Sequence, residues 1–425
     1  MEREFWFRII LFILLFIFSE ITAFFSFSSL WYKKTKFKRQ SYARKYCIFS
    51  IIFVLFIFPF YIYTASKISK NNAGLMRQNF FLTTVILLVY IPKFIAGLFW
   101  IISIIISFII RFINKILFKG KEKIYYWAVQ IYKILNFSGL FLAFCMLIMI
   151  LYGMSFGITN YKIKNIVIKS ENIPASFDNF TIAQISDTHL GSFNNIVQVE
   201  KGLNLISQSK PDLIVFTGDM VNADPYEASE YIDKFQKLQA PFGKYAVLGN
   251  HDLNNFLKWK NKNSDSTMGK EVTRILNDMG FTVLRNSNAI IYKNSDSISI
   301  SGVDNFGTPP FTNYADIDKA SRGIQNFKYK ILLLHDSKPL KDSILPYYKF
   351  NLALSGHTHG MQIGINFPWF KWSPSSFIYK YYLGLYPIND CDLYINAGFG
   401  FIGFAARIGI SPEITIIKLK SKSSL

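Results

Sequence analysis

The chain has 425 residues, a formal net charge of +20 and 51% hydrophobic residues. Most of the charge lies in residues 1–153, which contain 19 Lys and Arg against 4 Asp and Glu; residues 154–425 contain 28 against 23. Basic clusters between long apolar runs are typical of membrane-flanking loops and argue against a nucleic-acid-binding protein. The cysteines Cys47, Cys145 and Cys391 are far apart and form no C-x-x-C, so neither a disulfide framework nor a zinc knuckle is predicted.

Four apolar runs predict an N-terminal transmembrane domain over residues 1–153, because a membrane helix needs about 20 mostly apolar residues. The first run is a poor signal peptide, since its apolar part is too long and no small-residue cleavage motif follows it. Glu20 and Lys93 are the only ionisable residues well inside the runs, and we expect a capping or packing role for both. The predicted helices are 5–27, 47–64, 80–110 and 134–152.

The basic residues between these runs predict the orientation of the chain. Seven lie between the first and second runs and six between the third and fourth, but only three lie between the second and third. Because positive loops stay in the cytoplasm, the amino terminus and residues 154–425 are expected outside. The sequence therefore predicts an integral protein of the cytoplasmic membrane, with its C-terminal domain on the extracytoplasmic face.

The third run is longer than one crossing needs, and Pro92 and Lys93 interrupt it. We favour a single kinked helix. The alternative is a helical hairpin, which would make five crossings and place the C-terminal domain in the cytoplasm.

Residues 154–425 alternate between strand-like and helix-like stretches, which predicts an α/β or α/β-sandwich domain with one full core. Residues 254–268 and 362–391 are expected to be loops over the functional site. Predicted strands are 163–168, 181–186, 213–217, 245–248, 282–284, 297–302, 329–334, 350–355, 392–396 and 413–418. Predicted helices are 196–208, 227–239, 271–279 and 317–324.

All five histidines lie beyond residue 188, and each follows a predicted strand end beside a Gly, an Asp or both. In open α/β sheets the loops beyond the strand carboxyl ends meet in one crevice. The polar residues that would meet there are Asp187, His189, Asp219, Asn250, His251, Asp252, His335, His357 and His359. This set of oxygen and nitrogen donors lacks a thiolate, so it suits Mn²⁺, Fe²⁺ or Zn²⁺.

The order D-x-H, G-D, G-N-H-D, H and G-H-x-H resembles the calcineurin-like metallophosphoesterases over about residues 160–420. The tail from Asn396 to Ile414 resembles the bacterial membrane-anchored branch of that family. The resemblance implies a calcineurin-like α/β-sandwich domain that binds two divalent metal ions. One metal would be held by Asp187, His189, Asp219 and His359, and the second by Asn250, His335, His357 and the shared Asp219. His251 would face the substrate, and Asp252 would orient it.

The chemistry fits this resemblance. Two metals about 3.5–4 Å apart lower the pKa of a bridging water, and a histidine beyond them can protonate the leaving oxygen. The sequence therefore predicts a membrane-bound phosphoesterase that hydrolyses a phosphoester or pyrophosphate bond by attack of a metal-bridging hydroxide. A site held near the bilayer suggests a lipid or lipid-linked substrate.

Two functions of other classes remain as alternatives. One is a non-catalytic metal- or ligand-binding membrane receptor on the same scaffold. The other is a transporter, which the lack of internal repeats and of polar membrane residues disfavours.

Two positions depart from the family pattern: Asn222 stands where Asp is frequent, and Met361 stands where Gly is frequent. Arg285 and Arg407 are candidate phosphate contacts, because guanidinium pairs well with phosphate. The alternatives are that Arg285 is a turn residue and that Arg407 pairs with Glu413.

Overall fold

The structure is a computed structural model that describes residues 2–29, 36–68, 73–253, 264–307, 312–367 and 369–422. The chain divides into two compact units. The helical unit comprises Met1–Tyr63 and Phe81–Tyr152, and the active-site unit comprises Thr64–Phe80 and Gly153–Leu425. The active-site unit is therefore built from two separate stretches of sequence.

Long apolar helices account for the first part of the chain: α1 (Glu2–Ser28), α2 (Lys36–Ile68), α3 (Ala73–Leu117) and α4 (Glu122–Ser155). Within the described residues, three stretches are long and apolar enough to cross a membrane: Gln40–Ala65, Leu75–Leu117 and Glu122–Ser155. Four crossings were predicted, and the described residues contain three candidate crossings. In α1 the described side chains include one shorter apolar stretch, Leu14–Ser28.

Helix α3 continues through Pro92 without a break, so the hairpin alternative for residues 80–110 is wrong. A proline removes one backbone donor, but apolar membrane helices tolerate it where neighbouring groups satisfy the freed carbonyl. Residues 80–110 therefore belong to one long helix.

Glu20 and Lys93 form an ion pair, which the sequence analysis did not predict. The Lys93 ammonium lies 2.7 Å from Oε1 of Glu20, and the hydroxyls of Tyr90 and Ser50 also donate to that carboxylate. This contact joins α1, α2 and α3 within the helical unit. A charge buried among apolar side chains is stabilised by such a partner, which explains why two isolated ionisable residues occur inside apolar runs.

The active-site unit contains the remaining helices and all the strands of the described chain. Its helices are α5 (Ile196–Gln208), α6 (Ile232–Gln236), α7 (Asn250–Leu253), α8 (Ser264–Asp278) and α9 (Ile317–Ala320). Its strands are β1 (Lys162–Ser170), β2 (Thr181–Ile185), β3 (Leu213–Thr217), β4 (Lys244–Val247), β5 (Thr282–Val283), β6 (Ser287–Lys293), β7 (Asp296–Gly302), β8 (Lys330–Leu333), β9 (Leu352–Ser355), β10 (Ile365–Phe367), β11 (Phe370–Trp372), β12 (Gly384–Ile388), β13 (Cys391–Ile395) and β14 (Glu413–Ser421).

Within the described residues these strands form two mixed six-stranded sheets and one two-stranded hairpin. The sheet orders are β1-β14-β2-β3-β4-β5 and β12-β13-β9-β8-β7-β6, and β10 pairs with β11. Apolar side chains of both sheets, such as Val215 and Leu333, share one buried cluster between the sheets. Helices α5, α6 and α8 cover the outer face of the first sheet. The result is an α/β sandwich in which β2, β3, β8 and β9 lie centrally.

The start of α3 packs on loops of the active-site unit. Met76 and Phe80 share a small apolar cluster with Ala223 and Ile402. The Arg77 guanidinium donates to the Gly191 carbonyl over 3.0 Å. The beginning of α3 therefore covers loops that follow the strand ends.

Candidate active site

The predicted site residues lie at the carboxyl ends of central strands, where the backbone turns sharply. Asp187, His189, Asp219, His357 and His359 all have left-handed backbones, with φ between 43° and 72°. Each such conformation costs a non-glycine residue about 1–3 kcal/mol and persists only where surrounding contacts enforce it. The fold therefore holds these five residues in strained backbone conformations that direct their side chains toward the site.

The first group of candidate ligands is Asp187, His189 and His359, all fully buried. The Nε2 atoms of His189 and His359 lie 3.2 Å apart, and Nε2 of His359 lies 3.2 Å from Oδ1 of Asp187. Two imidazole nitrogens that face each other at this distance can share a cation between them.

The second group is Asp219, His335 and His357. Nε2 of His335 lies 3.0 Å from Oδ2 of Asp219 and 3.2 Å from Nδ1 of His357. The same Asp219 oxygen lies 3.7 Å from Nε2 of His189 in the first group. Asp219 therefore faces both groups with one atom.

The outer ring nitrogens of the histidines are also positioned. Nδ1 of His335 donates to the Thr217 carbonyl at 2.8 Å, which leaves Nε2 of the neutral ring as an acceptor facing Asp219. Nε2 of His357 lies 2.8 Å from the Tyr379 hydroxyl. Tyr379 lies in the stretch that was predicted to be a loop, and its sequence context gave no signal for this contact.

The donor set fits divalent cations by a further observation. The side-chain oxygen of Asn250 is buried and has no hydrogen-bond partner among the described residues. An amide oxygen is a hard donor suited to a divalent metal, and leaving a buried acceptor unsatisfied otherwise costs about 1–3 kcal/mol. Asn250 starts α7 shortly after β4, and the N–H of the next residue, His251, donates to Oδ1 of Asp219 over 2.8 Å.

The electrostatics keep Asp219 ionised and His189 neutral, as metal ligands must be, but they favour a proton on His335. Burial opposes ionisation, but the charges of His335 and His251 hold the pKa of Asp219 well below its usual range. Burial lowers the pKa of His189 well below its usual range. Despite burial, the charge of Asp219 raises the pKa of His335 to about 10. In the protein without metal, the protonated His335 ring would supply the positive charge beside Asp219.

His251 is partly exposed beside the first group, with its ring centroid 5.0 Å from that of His189. Its Nδ1 lies 2.6 Å from the backbone carbonyl of Asn222. The carboxylate of Asp252 instead accepts from the backbone N–H groups of four residues: Gly249, Asp219, Met220 and Val221. The expected pairing of Asp252 with the His251 ring is therefore replaced by the Asn222 carbonyl, because Asp252 is directed into the loop after β3.

Both candidate arginines have partners within the protein. Arg285 forms an ion pair with Asp304 at 2.9 Å. Arg407 is 2% exposed and donates to the carbonyls of Ala397 and Gly400, at 2.9 and 2.6 Å respectively. Its Nη2 also lies 3.2 Å from Nδ1 of His359. Arg407 therefore holds the loop after β13 against a candidate ligand.

Comparison with known proteins identifies the family. A model of the calcineurin-like phosphoesterases matches residues 180–361. The chain is 34% identical over 268 residues to the metallophosphoesterase YkuE of Bacillus subtilis (strain 168), covering 60% of this chain and 84% of YkuE. It is 25% identical over 281 residues to a Danio rerio transmembrane protein with a metallophosphoesterase domain, covering 64% of this chain and 60% of that protein. It is 28% identical to a Campylobacter jejuni metallophosphoesterase, covering 62% of this chain and 66% of that protein.

The similarity to the B. subtilis protein extends over most of that relative, and the family match ends at residue 361, just after the last candidate histidine. The chain therefore belongs to the calcineurin-like phosphoesterases, which are metal-dependent phosphoester hydrolases.

Proposed function

We propose that this chain is a membrane-anchored phosphoesterase that works with two divalent metal ions on a lipid or lipid-linked phosphate. The observation that carries the two-metal proposal is the Oδ2 atom of Asp219, which faces His335 at 3.0 Å and His189 at 3.7 Å. One ion would be held by Asp187, His189, His359 and Asp219. The other would be held by Asp219, Asn250, His335 and His357.

The two ions would supply Lewis acidity toward a water and toward the phosphoryl oxygens. The chain's own residues would hold and move the protons. Because Nδ1 of His251 is bound to the Asn222 carbonyl, the proton given to the leaving oxygen would come from Nε2. Asp252 would fix the backbone on both sides of Asp219 and so set the position of the shared carboxylate.

The membrane part of the proposal rests on the apolar helices and on the basic loops. Residues 156–161 are all that separates α4 from β1, so the active-site unit is tethered to a predicted crossing by a short connection. With α2, α3 and α4 as crossings, the basic segments before α2 and between α3 and α4 would both be cytoplasmic. The active-site unit would then be extracytoplasmic, whatever the position of α1.

The test uses the full chain in detergent, stripped of metal and reloaded with Mn²⁺. Hydrolysis of bis-p-nitrophenyl phosphate and p-nitrophenyl phosphate is measured together with the metal content. We expect Asp219→Ala to lose both metal equivalents and His251→Ala to keep both while losing about 10²- to 10⁴-fold in rate. The exposed Asp233→Ala serves as a matched control that changes neither quantity.

Two outcomes would contradict the proposal. If Asp219→Ala kept two metal equivalents and full activity, the assignment of the shared ligand would be wrong. If wild-type protein bound two metals but turned over neither these esters nor lipid phosphates, the non-catalytic receptor would be the better interpretation.

A further inference from the structure

A cluster of exposed aromatic and aliphatic side chains follows the last candidate histidine. Trp369 and Phe377 are each 81% exposed, and Ile378, Phe367 and Phe370 are 50–56% exposed. We call these five residues the aromatic patch. Trp372 of β11, which is 39% exposed, connects the hairpin to Phe377, since the two ring centroids lie 6.3 Å apart. Contiguous exposed apolar surface on a folded unit is a mark of an interaction site rather than of ordinary surface variation.

The aromatic patch is part of an ordered arrangement. Phe367 ends β10 and Phe370 begins β11, and the two residues pair in the antiparallel ladder of the hairpin. The rings of Phe367 and Trp369 stack with centroids 5.3 Å apart. The hairpin is fixed to the body of the unit, because the Ser373 hydroxyl donates to the Gly360 carbonyl over 2.5 Å. The rings are therefore presented outward by the fold itself.

The charge around the aromatic patch indicates which kind of partner it would bind. Residues 361–382 contain two lysines, Lys371 and Lys380, and no Asp or Glu. Both lysines are exposed. Aromatic rings prefer the headgroup level of a bilayer, and lysines beside them are attracted to anionic lipid phosphates. Protein interfaces, in contrast, are depleted in lysine, which makes a protein partner the weaker choice.

We propose that the aromatic patch docks on the surface of the bilayer that anchors the chain, with its rings at the level of the lipid headgroups. The net positive charge of this stretch, contributed by Lys371 and Lys380, would then favour a bilayer that contains anionic lipid. The proposal deepens the proposed function, on which its catalytic consequence rests.

That consequence follows from a short connection between the aromatic patch and the candidate metal ligands. Tyr379 comes directly after Ile378, and its backbone N–H donates to the Ser375 carbonyl over 2.8 Å. Its hydroxyl lies 2.8 Å from Nε2 of His357. A docked patch would therefore hold His357 close to the interface, where the phosphate of a membrane lipid is found. The substrate class would be a lipid phosphate presented in the bilayer.

The docking is tested with a fluorescent label on single cysteines in the full chain. Cys47 and Cys145 are replaced by serine, and Cys391 is buried. An NBD label is placed at Trp369→Cys or at Phe377→Cys, and the protein is reconstituted in nanodiscs containing phosphatidylglycerol and doxyl-labelled lipid. We expect a blue-shifted emission and a loss of fluorescence to the doxyl lipid at both positions.

Tyr347→Cys and Tyr292→Cys are the matched controls, because these side chains are 79% and 69% exposed but lie outside the aromatic patch. We expect their labels to report water and to escape quenching. Labels at 369 and 377 that behave like these controls would overturn the proposal. A blue shift without quenching by lipid would also overturn it, and would indicate a protein partner or a second copy instead.

The catalytic consequence is tested by a ratio of two rates. Turnover of a phosphate-bearing lipid in the nanodisc is divided by turnover of soluble bis-p-nitrophenyl phosphate. We expect the double variant Trp369→Ser/Phe377→Ser to lower this ratio by about tenfold or more, since two large apolar side chains leave the interface. Tyr292→Ser/Tyr347→Ser should leave the ratio unchanged.

The catalytic consequence and the docking of the aromatic patch can be disproved independently of each other. An unchanged ratio in the patch variant would overturn the link between docking and substrate. If wild-type protein hydrolysed neither substrate, the proposed function would fall, while the label experiment would still decide whether the aromatic patch meets lipid.

Discussion

Both backbone polar groups of Asn222 have hydrogen-bond partners. Its carbonyl lies 2.6 Å from Nδ1 of His251, and its N–H donates to Oε2 of Glu227 over 2.6 Å. Glu227 also accepts from the N–H of Ala223. A buried carboxylate thus fixes the peptide that orients His251, so the departure from Asp to Asn at position 222 leaves this backbone contact in place.

Glu227 makes stability depend on pH. Burial raises the pKa of its carboxyl to about 7 from an ordinary value of 4.5. The folded protein therefore holds this proton more tightly than the unfolded chain, and the stabilisation is lost as the pH rises from about 4.5 through 7. We expect wild type to lose about 3 kcal/mol relative to Glu227→Gln between pH 4 and pH 8. Denaturant unfolding of both proteins across this range measures the difference, and a flat or opposite trend would contradict it.

Gly398 and Gly403 form a matched pair for the loop beside His359. Both have left-handed backbones, with φ of +83° and +77°. A Cβ at Gly398 would lie 2.9 Å from Nδ1 of His359, whereas a Cβ at Gly403 would meet no heavy atom of the described chain within 4 Å.

Alanine should therefore have different effects at the two glycines. Each substitution should lower the free energy of unfolding by about 1 kcal/mol, because alanine is strained in a left-handed backbone conformation. Only Gly398→Ala should also displace His359 and weaken metal affinity, by about tenfold or more. Metal titration of the two variants measures this, and equal affinities would show that His359 does not depend on the loop.

Six of the residues that the sequence analysis placed at the site lie in two close groups in the structure. Each of them follows an apolar strand and carries a donor atom. The sequence did not predict Tyr379, the Asn222 carbonyl or Arg407 as their supports. Those contacts join residues far apart in the chain through a tyrosine hydroxyl, a backbone carbonyl or a buried guanidinium, and none of the three leaves a pattern in a single sequence.

Among the elements, β3 and α5 were predicted with the bounds that the structure shows. Their signals are local: β3 is a continuous apolar run, and the Asn195 side chain caps α5 by accepting from the N–H of Val197. Strands β6, β10, β11 and β12 were not predicted. Their side chains are largely exposed or only partly buried, so they lack the alternation that a half-buried strand imprints on its sequence.

Helix α3 offers a test of the contact between its start and the loops of the active-site unit. Phe80 is 9% exposed and packs near Ala223, whereas the adjacent Phe81 is 54% exposed. We expect Phe80→Ala to destabilise the active-site unit by about 3–5 kcal/mol, because it leaves a cavity. Phe81→Ala should cost much less. Thermal unfolding in detergent compares the two variants, and equal losses would contradict the packing.

At the scale of the whole molecule, composition separated the apolar part of the chain from the rest, and the apolar runs located α2, α3 and α4. The sequence did not indicate that residues 76–80 pack with the distant C-terminal stretch. That association depends on a few side chains, Met76 and Phe80 among them, within a run whose apolar character predicts only a membrane helix.

The proposed orientation can be measured in intact cells. A cysteine at Tyr347 in the active-site unit should react with a membrane-impermeant maleimide, whereas a cysteine at Lys121 between α3 and α4 should react only after lysis. Tyr347 is 79% exposed and Lys121 is exposed, so access to the side chain is not limiting. Protection of position 347 together with labelling of position 121 would show that the orientation is the opposite of the one proposed.

The two-piece construction of the active-site unit bears on how the protein would respond to proteolysis. A cut between α4 and β1 would sever the covalent link to the C-terminal stretch. The Arg77 hydrogen bond to Gly191 and the apolar cluster around Phe80 would still join that stretch to the start of α3. Such a cut would cleave the chain without releasing its catalytic part. Release of the C-terminal stretch would also require that these non-covalent contacts with the start of α3 break.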